Sequence, residues 1–270
     1  MKTGRFASIV LAGERNPDDP LVRETGVRSK AALEIDGKPM IIRVLNALEA
    51  STIVGTRLLS GPDWESVSML PELRELIDSN RAGWLEPGAS PSASAHAALQ
   101  SIGTAYPVLL TTADHALLRA DIIDYFCTQA EREGLDIAVG LADYGLIHET
   151  YPKLKKTVMH FRDGDYCGCN LFAFLTPQAR GIADYWRRVE NRRKSPFRII
   201  GILGWFTVMR YLAGRLTLED GLRRLSERLK LKIGIVILPW PESAVDVDTI
   251  DDYREVQEII RIHSSPEPGG

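Results

Sequence analysis

The feature that most constrains this chain is a short apolar run near its start that passes directly into a long polar loop. Residues 8–12 have the length and composition of a buried strand, and Gly13 allows a sharp turn at its end. Pro17 and Pro20 are expected to prevent a helix in the loop. Its basic side chains are Arg15, Arg23, Arg28 and Lys30. This pattern predicts an anion site, most simply for phosphate, although a first strand with a solvated turn explains it too.

Apolar strands and amphipathic helices alternate along the rest of the chain, which predicts an α/β fold. Further strands are expected at residues 31–35, 56–60, 108–111, 136–141, 168–174 and 233–238. Helices are expected at residues 39–48, 70–77, 92–102, 119–133, 176–193, 199–213 and 218–229. We take residues 1–263 as one domain, with a helical insertion at 176–230 and a disordered tail at 264–270.

Charge and cysteine content exclude several classes of protein. The formal net charge of −3 gives no basic field for nucleic acid. Three cysteines, an odd number, without a signal peptide favour a reducing cytoplasm. The longest apolar stretch, residues 199–209, holds eleven residues without a charge, which is too short to span a bilayer. We therefore expect a cytoplasmic protein without a transmembrane segment.

Two later segments carry candidate ligand-binding groups. Ser90 precedes Pro91 at the start of a helix rich in small residues, and such a start offers N–H groups and hydroxyls, including that of Ser94, to an anion or a base edge. Helix capping without a ligand explains these residues as well. Asp114 follows the predicted strand 108–111, at the edge where open α/β sheets bind ligands. Its alternative role is to cap the helix that follows.

The region after residue 150 carries candidates for an acceptor site. Lys153 and Lys156 lie in a lysine-rich turn that suits a phosphorylated acceptor, with a solvated turn as the simpler interpretation. Asn170, at the start of a strand, is a further candidate for the acceptor side. The basic and apolar segment 192–215 fits core packing, a dimer face, an acceptor lid or peripheral contact with a membrane surface.

Motifs at the two ends of the chain resemble those of nucleotidyltransferases with a MobA-like NTP transferase domain. At the start, Leu11-Ala12-Gly13, Lys30 and the Gly-Lys-Pro-Met of residues 37–40 are similar to the family's opening signature. Glu14 replaces a second glycine, and the Arg-Met-Gly of the loop is absent. Near the end, Asp246-Val247-Asp248 resembles the family's Asp-Val-Asp ending, with Ile250 where proline is usual.

The resemblance implies a mostly parallel twisted sheet with helices on both faces, Rossmann-like in arrangement. It implies that an acceptor oxygen attacks the α-phosphorus of an NTP and releases pyrophosphate. Lys30 would stabilise charge on the α-phosphate, while Asp114 with Asp246 or Asp248 would hold Mg²⁺, with Mn²⁺ as the alternative. The nucleotide would be held by Leu11, Ala12, Gly13, Arg15, Arg28, Ser90 and Ser94.

Several alternatives stay open from the sequence. Asp246-Val247-Asp248 also has the Asp-x-Asp form of glycosyltransferases that use nucleotide-sugars, and the altered loop at Glu14 leaves room for a protein that binds nucleotides without turnover. The residues identify neither the base of the NTP nor the acceptor, which is a small-molecule phosphate or alcohol. They are compatible with a monomer or a homodimer.

Overall fold

The computed structural model describes residues 4–14, 19–103, 107–183 and 205–264. Its strands are β1 (Phe6–Leu11), β2 (Glu34–Ile35), β3 (Lys38–Pro39), β4 (Val54–Ser60), β5 (Gly83–Leu85), β6 (Val108–Thr112), β7 (Ile137–Asp143), β8 (Met159–Phe161), β9 (Gly164–Phe174) and β10 (Ile233–Ile237). Eight of them form one sheet in the order β10-β7-β9-β6-β1-β4-β5, with β8 paired to β9. The remaining two, β2 and β3, form a small antiparallel pair.

The direction of the strands places the candidate site. β1 is parallel to both β4 and β6, and β7 is parallel to β10, whereas β9 runs antiparallel to β6 and β7. Leu11, at the end of β1, lies beside Ser60 of β4 and Thr112 of β6. Because the chain leaves β1 toward β4 and later returns to β6 on the other side, this edge is a switch point where open sheets bind ligands.

The helices are α1 (Pro20–Thr25), α2 (Met40–Ala50), α3 (Trp64–Ser68), α4 (Pro71–Asp78), α5 (Pro91–Ile102), α6 (Ala120–Arg132), α7 (Tyr144–Thr150), α8 (Pro177–Arg180), α9 (Trp205–Leu212), α10 (Leu218–Leu229) and α11 (Ile250–Ser264). In the described ranges, no helix combines the length and apolar character that a membrane crossing requires.

Helices cover both faces of the sheet, as the alternation of side chains along β1 shows. Phe6 and Val10 join a core that includes Phe126 of α6, whereas Ile9 joins a second core with Leu99 of α5. Alternate residues of a strand point to opposite faces, so β1 is buried on both sides. The expected fold, a mostly parallel sheet with helices on both faces, is confirmed.

One expectation about the loop after β1 is wrong. Pro20 does not prevent a helix, because α1 begins at this residue. The fixed backbone of proline suits the first helical position, and the Asp19 carboxylate accepts a hydrogen bond from Leu21 N at 2.8 Å. Of the predicted helical insertion, α8, α9 and α10 are described, while residues 184–204 and the predicted tail after residue 264 lie outside the described residues.

Candidate active site

The backbone after β1 is packed closely against the loop after β4. Gly61, with φ of +84°, approaches so near that an added Cβ would lie 2.7 Å from the Gly13 nitrogen. On the other side, a Cβ at Gly13 would meet Pro87 at 3.0 Å. Both positions need glycine for close approach, and they fix the turn where the sequence places the start of the anion site.

Lys30 occupies a short 3₁₀ turn, Lys30–Ala32, that is tied to the end of β1. The carboxylate of Glu14 accepts hydrogen bonds from Lys30 N and from Ser29 Oγ, both at 2.7 Å. The Ser29 side chain also accepts from Ala31 N at 3.3 Å and caps the turn. Glu14, at the position of the family's second glycine, therefore orients the backbone that carries Lys30.

The Lys30 amine lies between two carboxylates from distant parts of the chain. Its Nζ is 3.5 Å from Asp114 Oδ2 and 2.5 Å from Asp248 Oδ1. Burial alone would lower the pKa of Lys30, but Asp114 and Asp248 outweigh it, and the pKa is raised above its ordinary value. The amine is thus a fixed positive charge at neutral pH.

Asp114 sits two residues beyond β6 and is held from two directions. Its Oδ1 accepts a hydrogen bond from Thr112 Oγ1 at 2.5 Å, and its carbonyl accepts from Val247 N at 3.1 Å. The second contact draws the segment containing Asp246 and Asp248 toward the end of β6. Burial raises the pKa of Asp114, Lys30 opposes that shift, and the charges of Asp246 and Asp248 add to it.

Asp246 has a different set of partners. It forms an ion pair with Lys156, whose side chain is only 8% exposed, and it accepts a hydrogen bond from Asn170 Nδ2 at 3.0 Å. Asn170 adopts a positive φ of 50° within β9, where the pairing with β7 shifts register. Two of the predicted acceptor residues, Lys156 and Asn170, are therefore brought together at Asp246.

Other predicted site residues have partners elsewhere. Arg28 pairs with Glu65 at 2.6 Å, and Lys153 pairs with Glu255 and Glu258 of α11. These contacts leave Arg28 and Lys153 outside the Lys30 group in this structure. Arg15 lies outside the described residues.

The predicted serines hold the start of α5. The Ser90 hydroxyl accepts from Ala93 N at 3.3 Å as the helix cap, and the buried Ser94 accepts from Gly88 N at 2.9 Å. Both serines thereby fix the loop that packs on Gly13. Their contacts in the structure are those of capping and loop support.

A cavity of about 130 Å³ joins these elements. Its lining residues include Leu11, Ala12, Gly13, Glu14, Asp19, Lys30, Pro91, Asp114 and Asp248. Four of these are carboxylic acids and one is a lysine, so the cavity favours a cation or a ligand that arrives with one. A larger cavity of about 890 Å³, beside Arg57 and Arg81, contains none of these residues.

The sequence did not indicate the contacts of Glu14 and His115. His115 is 1% exposed, and burial lowers its pKa to about 4, with Asp246 opposing the shift and Lys156 adding to it. The ring is therefore neutral at physiological pH. In the sequence, His115 is marked only by its place directly after Asp114. The burial that keeps its ring neutral arises from the fold.

The fold and this edge of the sheet together define an α/β protein of the nucleotide-binding type, with a lysine and two aspartates at the switch point. The family model of the MobA-like NTP transferase domain matches residues 8–229, and the chain belongs to that family. Family membership supports a nucleotidyltransferase-type enzyme. No individually curated protein matches the chain by sequence.

Solved structures with the same fold include enzymes that act on different substrates. A hypothetical transferase from Thermus thermophilus is 25% identical, with a TM-score of 0.77 over 92% of this chain and 99% of that one. A CMP:2-keto-3-deoxy-manno-octonic acid synthetase with CTP is 14% identical, with a TM-score of 0.56 over 96% and 99%. The molybdopterin-guanine dinucleotide biosynthesis protein A of Archaeoglobus fulgidus is 15% identical, with a TM-score of 0.53 over 95% and 100%. The last two likenesses concern the fold alone.

Proposed function

We propose that the chain transfers an NMP group from an NTP to a small-molecule phosphate or alcohol and releases pyrophosphate. The observation that carries the proposal is the position of the Lys30 amine between Asp114 and Asp248, at the carboxyl ends of β1 and β6. A fixed ammonium there suits the charge that develops on an α-phosphate during in-line attack. Little acid or base chemistry is needed, so a lysine and carboxylates form a sufficient set.

Two of the carboxylates would bind a divalent cation together with the phosphates. Among the described residues no three His, Cys, Asp or Glu side chains are grouped for a metal, so the protein would supply only part of the ligands. Asp114 and Asp248 already share one cation, the ammonium of Lys30, and their hard oxygen donors are those that Mg²⁺ or Mn²⁺ prefers. The metal would supply charge neutralisation on the phosphates. We assign it to Asp114 and Asp248, because Lys30 is expected to leave Asp248 for the phosphates, whereas Asp246 would keep its partners Lys156 and Asn170.

The remaining residues divide between donor and acceptor. The N–H group of Gly13 would face the β- and γ-phosphates, with Leu11, Ala12, Arg15 and Arg28 in supporting roles, since the Ala12 N–H is donated to the Ser60 carbonyl at 2.8 Å. Ser90 and Ser94 would hold the α5 loop against the nucleotide. On the other side, Lys156 and Asn170 would bind the acceptor next to Asp246, with Lys153 as a peripheral contributor.

The cavity must widen to admit the donor. Its volume of about 130 Å³ is below the roughly 300–1,000 Å³ of common ligand pockets. We infer that the Lys30–Asp248 pair separates when the NTP enters, because Asp248 is the more exposed partner and lies on an extended segment. Lys30 would then exchange the carboxylate of Asp248 for a phosphate of the NTP.

The test is thermal unfolding with ATP, CTP, GTP and UTP, each with and without Mg²⁺. An NTP present at a hundred times its dissociation constant should add about 2.7 kcal/mol to the free energy of unfolding. We expect a Mg²⁺-dependent shift with one NTP that Asp114→Asn removes and Asp121→Asn, an exposed aspartate paired with Arg119, retains. A shift with nucleotide-sugars alone would favour a glycosyltransferase, and an NTP shift without turnover of any acceptor would favour a binding protein.

A further inference from the structure

The helix α9 presents its apolar side to solvent. Trp205, Phe206, Met209 and Leu212 are between 45% and 73% exposed, whereas Thr207 is buried. At about 100° per residue, these four side chains fall within about 120° of the helix circumference. Surface helices ordinarily place such a stripe against the core. Here the orientation is reversed, and we call the four side chains the outer face of α9.

Inward contacts fix this orientation. The ring of Tyr211 packs edge-on against Phe161 of β8, with centroids 5.6 Å apart. On the neighbouring side, Arg210 Nη2 lies 2.8 Å from Asp220 Oδ2 of α10. Rotation of α9 to bury its outer face would break both contacts, so the exposure belongs to the folded arrangement.

The stretch of chain that contains α9 and α10 is basic. Residues 205–232 contain seven basic and three acidic side chains, a net charge of +4, within a chain whose net charge is −3. The guanidinium of Arg224 lies 5.5 Å from the Phe206 ring, and Arg215 is exposed beyond the end of α9. Aromatic and aliphatic side chains bordered by arginine match the layer of a bilayer where anionic headgroups meet acyl chains.

We propose that α9 docks the protein on an anionic lipid surface, with Trp205, Phe206, Met209 and Leu212 inserted at the headgroup boundary. The four side chains expose on the order of 500 Å², which is below the roughly 800 Å² per partner of a standard protein interface. A second copy would also bring two basic regions together, whereas anionic lipid neutralises them. These two arguments favour lipid over a dimer.

The experiment is sedimentation of the full chain with vesicles of phosphatidylcholine alone or mixed with phosphatidylglycerol. The double variant Phe206→Ser, Leu212→Ser removes half of the outer face. Its matched control is Met69→Ser, Ile262→Ser, which removes two side chains that are 63% and 62% exposed elsewhere. Thermal unfolding of both variants verifies the fold.

We expect wild type and the control to bind the mixed vesicles, and the double variant to bind about tenfold less or weaker still. Added salt should weaken wild-type binding, and phosphatidylcholine alone should bind poorly. Absence of binding to mixed vesicles, or equal binding by the double variant, overturns the proposal. A wild-type dimer that the double variant abolishes, without vesicle binding, would assign the face to a second copy. The outcome is independent of the proposed reaction.

Discussion

The Lys30 cavity and the α9–α10 region place their side chains in opposite ways. At the cavity, charged groups point inward, where Lys30 is flanked by Asp114 and Asp248. At α9, large apolar groups point outward, as at Leu212. Neither arrangement is favoured by folding alone, because buried charge and exposed apolar surface both cost free energy. In our proposals, the cavity would take a phosphate ligand with a cation, and the outer face of α9 would take a lipid surface.

The two regions also differ in how the chain builds them. The cavity joins residues that are 84 and 218 positions apart: Lys30 in a 3₁₀ turn, Asp114 just beyond β6 and Asp248 in the loop before α11. In the other region the defining ion pair, Arg210–Asp220, spans ten positions, and α10 has no buried residue. The cavity thus depends on pairs between distant parts of the chain, whereas the Arg210–Asp220 pair joins two successive helices at the surface. Substitutions should separate the two by the size of their effects.

The largest effect is expected for Lys30→Ala. Loss of the ammonium removes the group that stabilises charge on the α-phosphate, and kcat/KM should fall about 10³-fold. Once the donor and acceptor are known, initial rates measure this directly. Lys30→Arg is the matched control, because it retains the charge with a different shape and should recover part of the loss. Full activity in Lys30→Ala would contradict the assignment.

Lys30→Ala should also lower the free energy of unfolding, and added Mg²⁺ should restore it. Without the amine, Asp114 and Asp248 face each other with no cation, which should cost about 1–3 kcal/mol. A metal bound between them would offset that cost. A Lys30→Ala protein that unfolds like wild type, and does so with or without Mg²⁺, would show that the carboxylates do not form a cation site.

Much of the Lys30 region could be predicted because its signals are local. The β1 strand, the turn at Gly13 and the position of Asp114 after β6 follow from apolar runs and from where they end. The nearness of Gly13 to Asp114 follows from the rule that parallel strands end at one edge, whereas Lys30 was assigned to the site by the resemblance to the family. Asp246 and Asp248 were alternative candidates for the metal, and the structure gives them different lysine partners.

The contacts that could not be predicted depend on the fold. The Glu14 carboxylate reaches Lys30 N only because α1 and the 3₁₀ turn return the chain to the end of β1. The α1 helix itself was missed because proline opposes a helix interior but suits its first residue. For α9, periodicity predicts a helix and an apolar face, but the direction of that face is set by Phe161 and Asp220.

An intermediate effect is expected at the second lysine–aspartate pair. Lys156→Met leaves Asp246 with Asn170 as a partner but removes the buried ammonium, which should cost about 2–4 kcal/mol. Lys153→Met is the comparison, since this exposed side chain pairs with Glu255 and Glu258 at the surface and its loss should not be measurable. Urea unfolding of both variants tests the contrast. Equal effects would mean that the burial of Lys156 has no bearing on stability.

The smallest effect is expected in the α9–α10 region, for Asp220→Asn. Hydrogen bonds from Arg223 and Arg210 lower the pKa of Asp220 to about 2. A carboxyl whose pKa is lower in the folded state than in the unfolded one adds stability above the unfolded value, here 3.8. That stability is lost as the pH falls from there toward 2. At neutral pH the variant should therefore unfold slightly more easily than wild type, and the difference should fade in acid.

Chemical unfolding of both proteins along an acid series measures this difference, and Asp251→Asn, an exposed aspartate in the first turn of α11, is the control. High salt should reduce the neutral-pH difference, because the three side chains are partly exposed and their charges are screened. If the difference in unfolding between wild type and Asp220→Asn persists unchanged in acid, its cause would be the shape of the side chain rather than its charge. If the difference instead equals that of Lys156→Met, the contrast between ion pairs of distant residues and ion pairs of nearby residues fails, since a local, partly exposed pair would then stabilise the fold as much as a buried one.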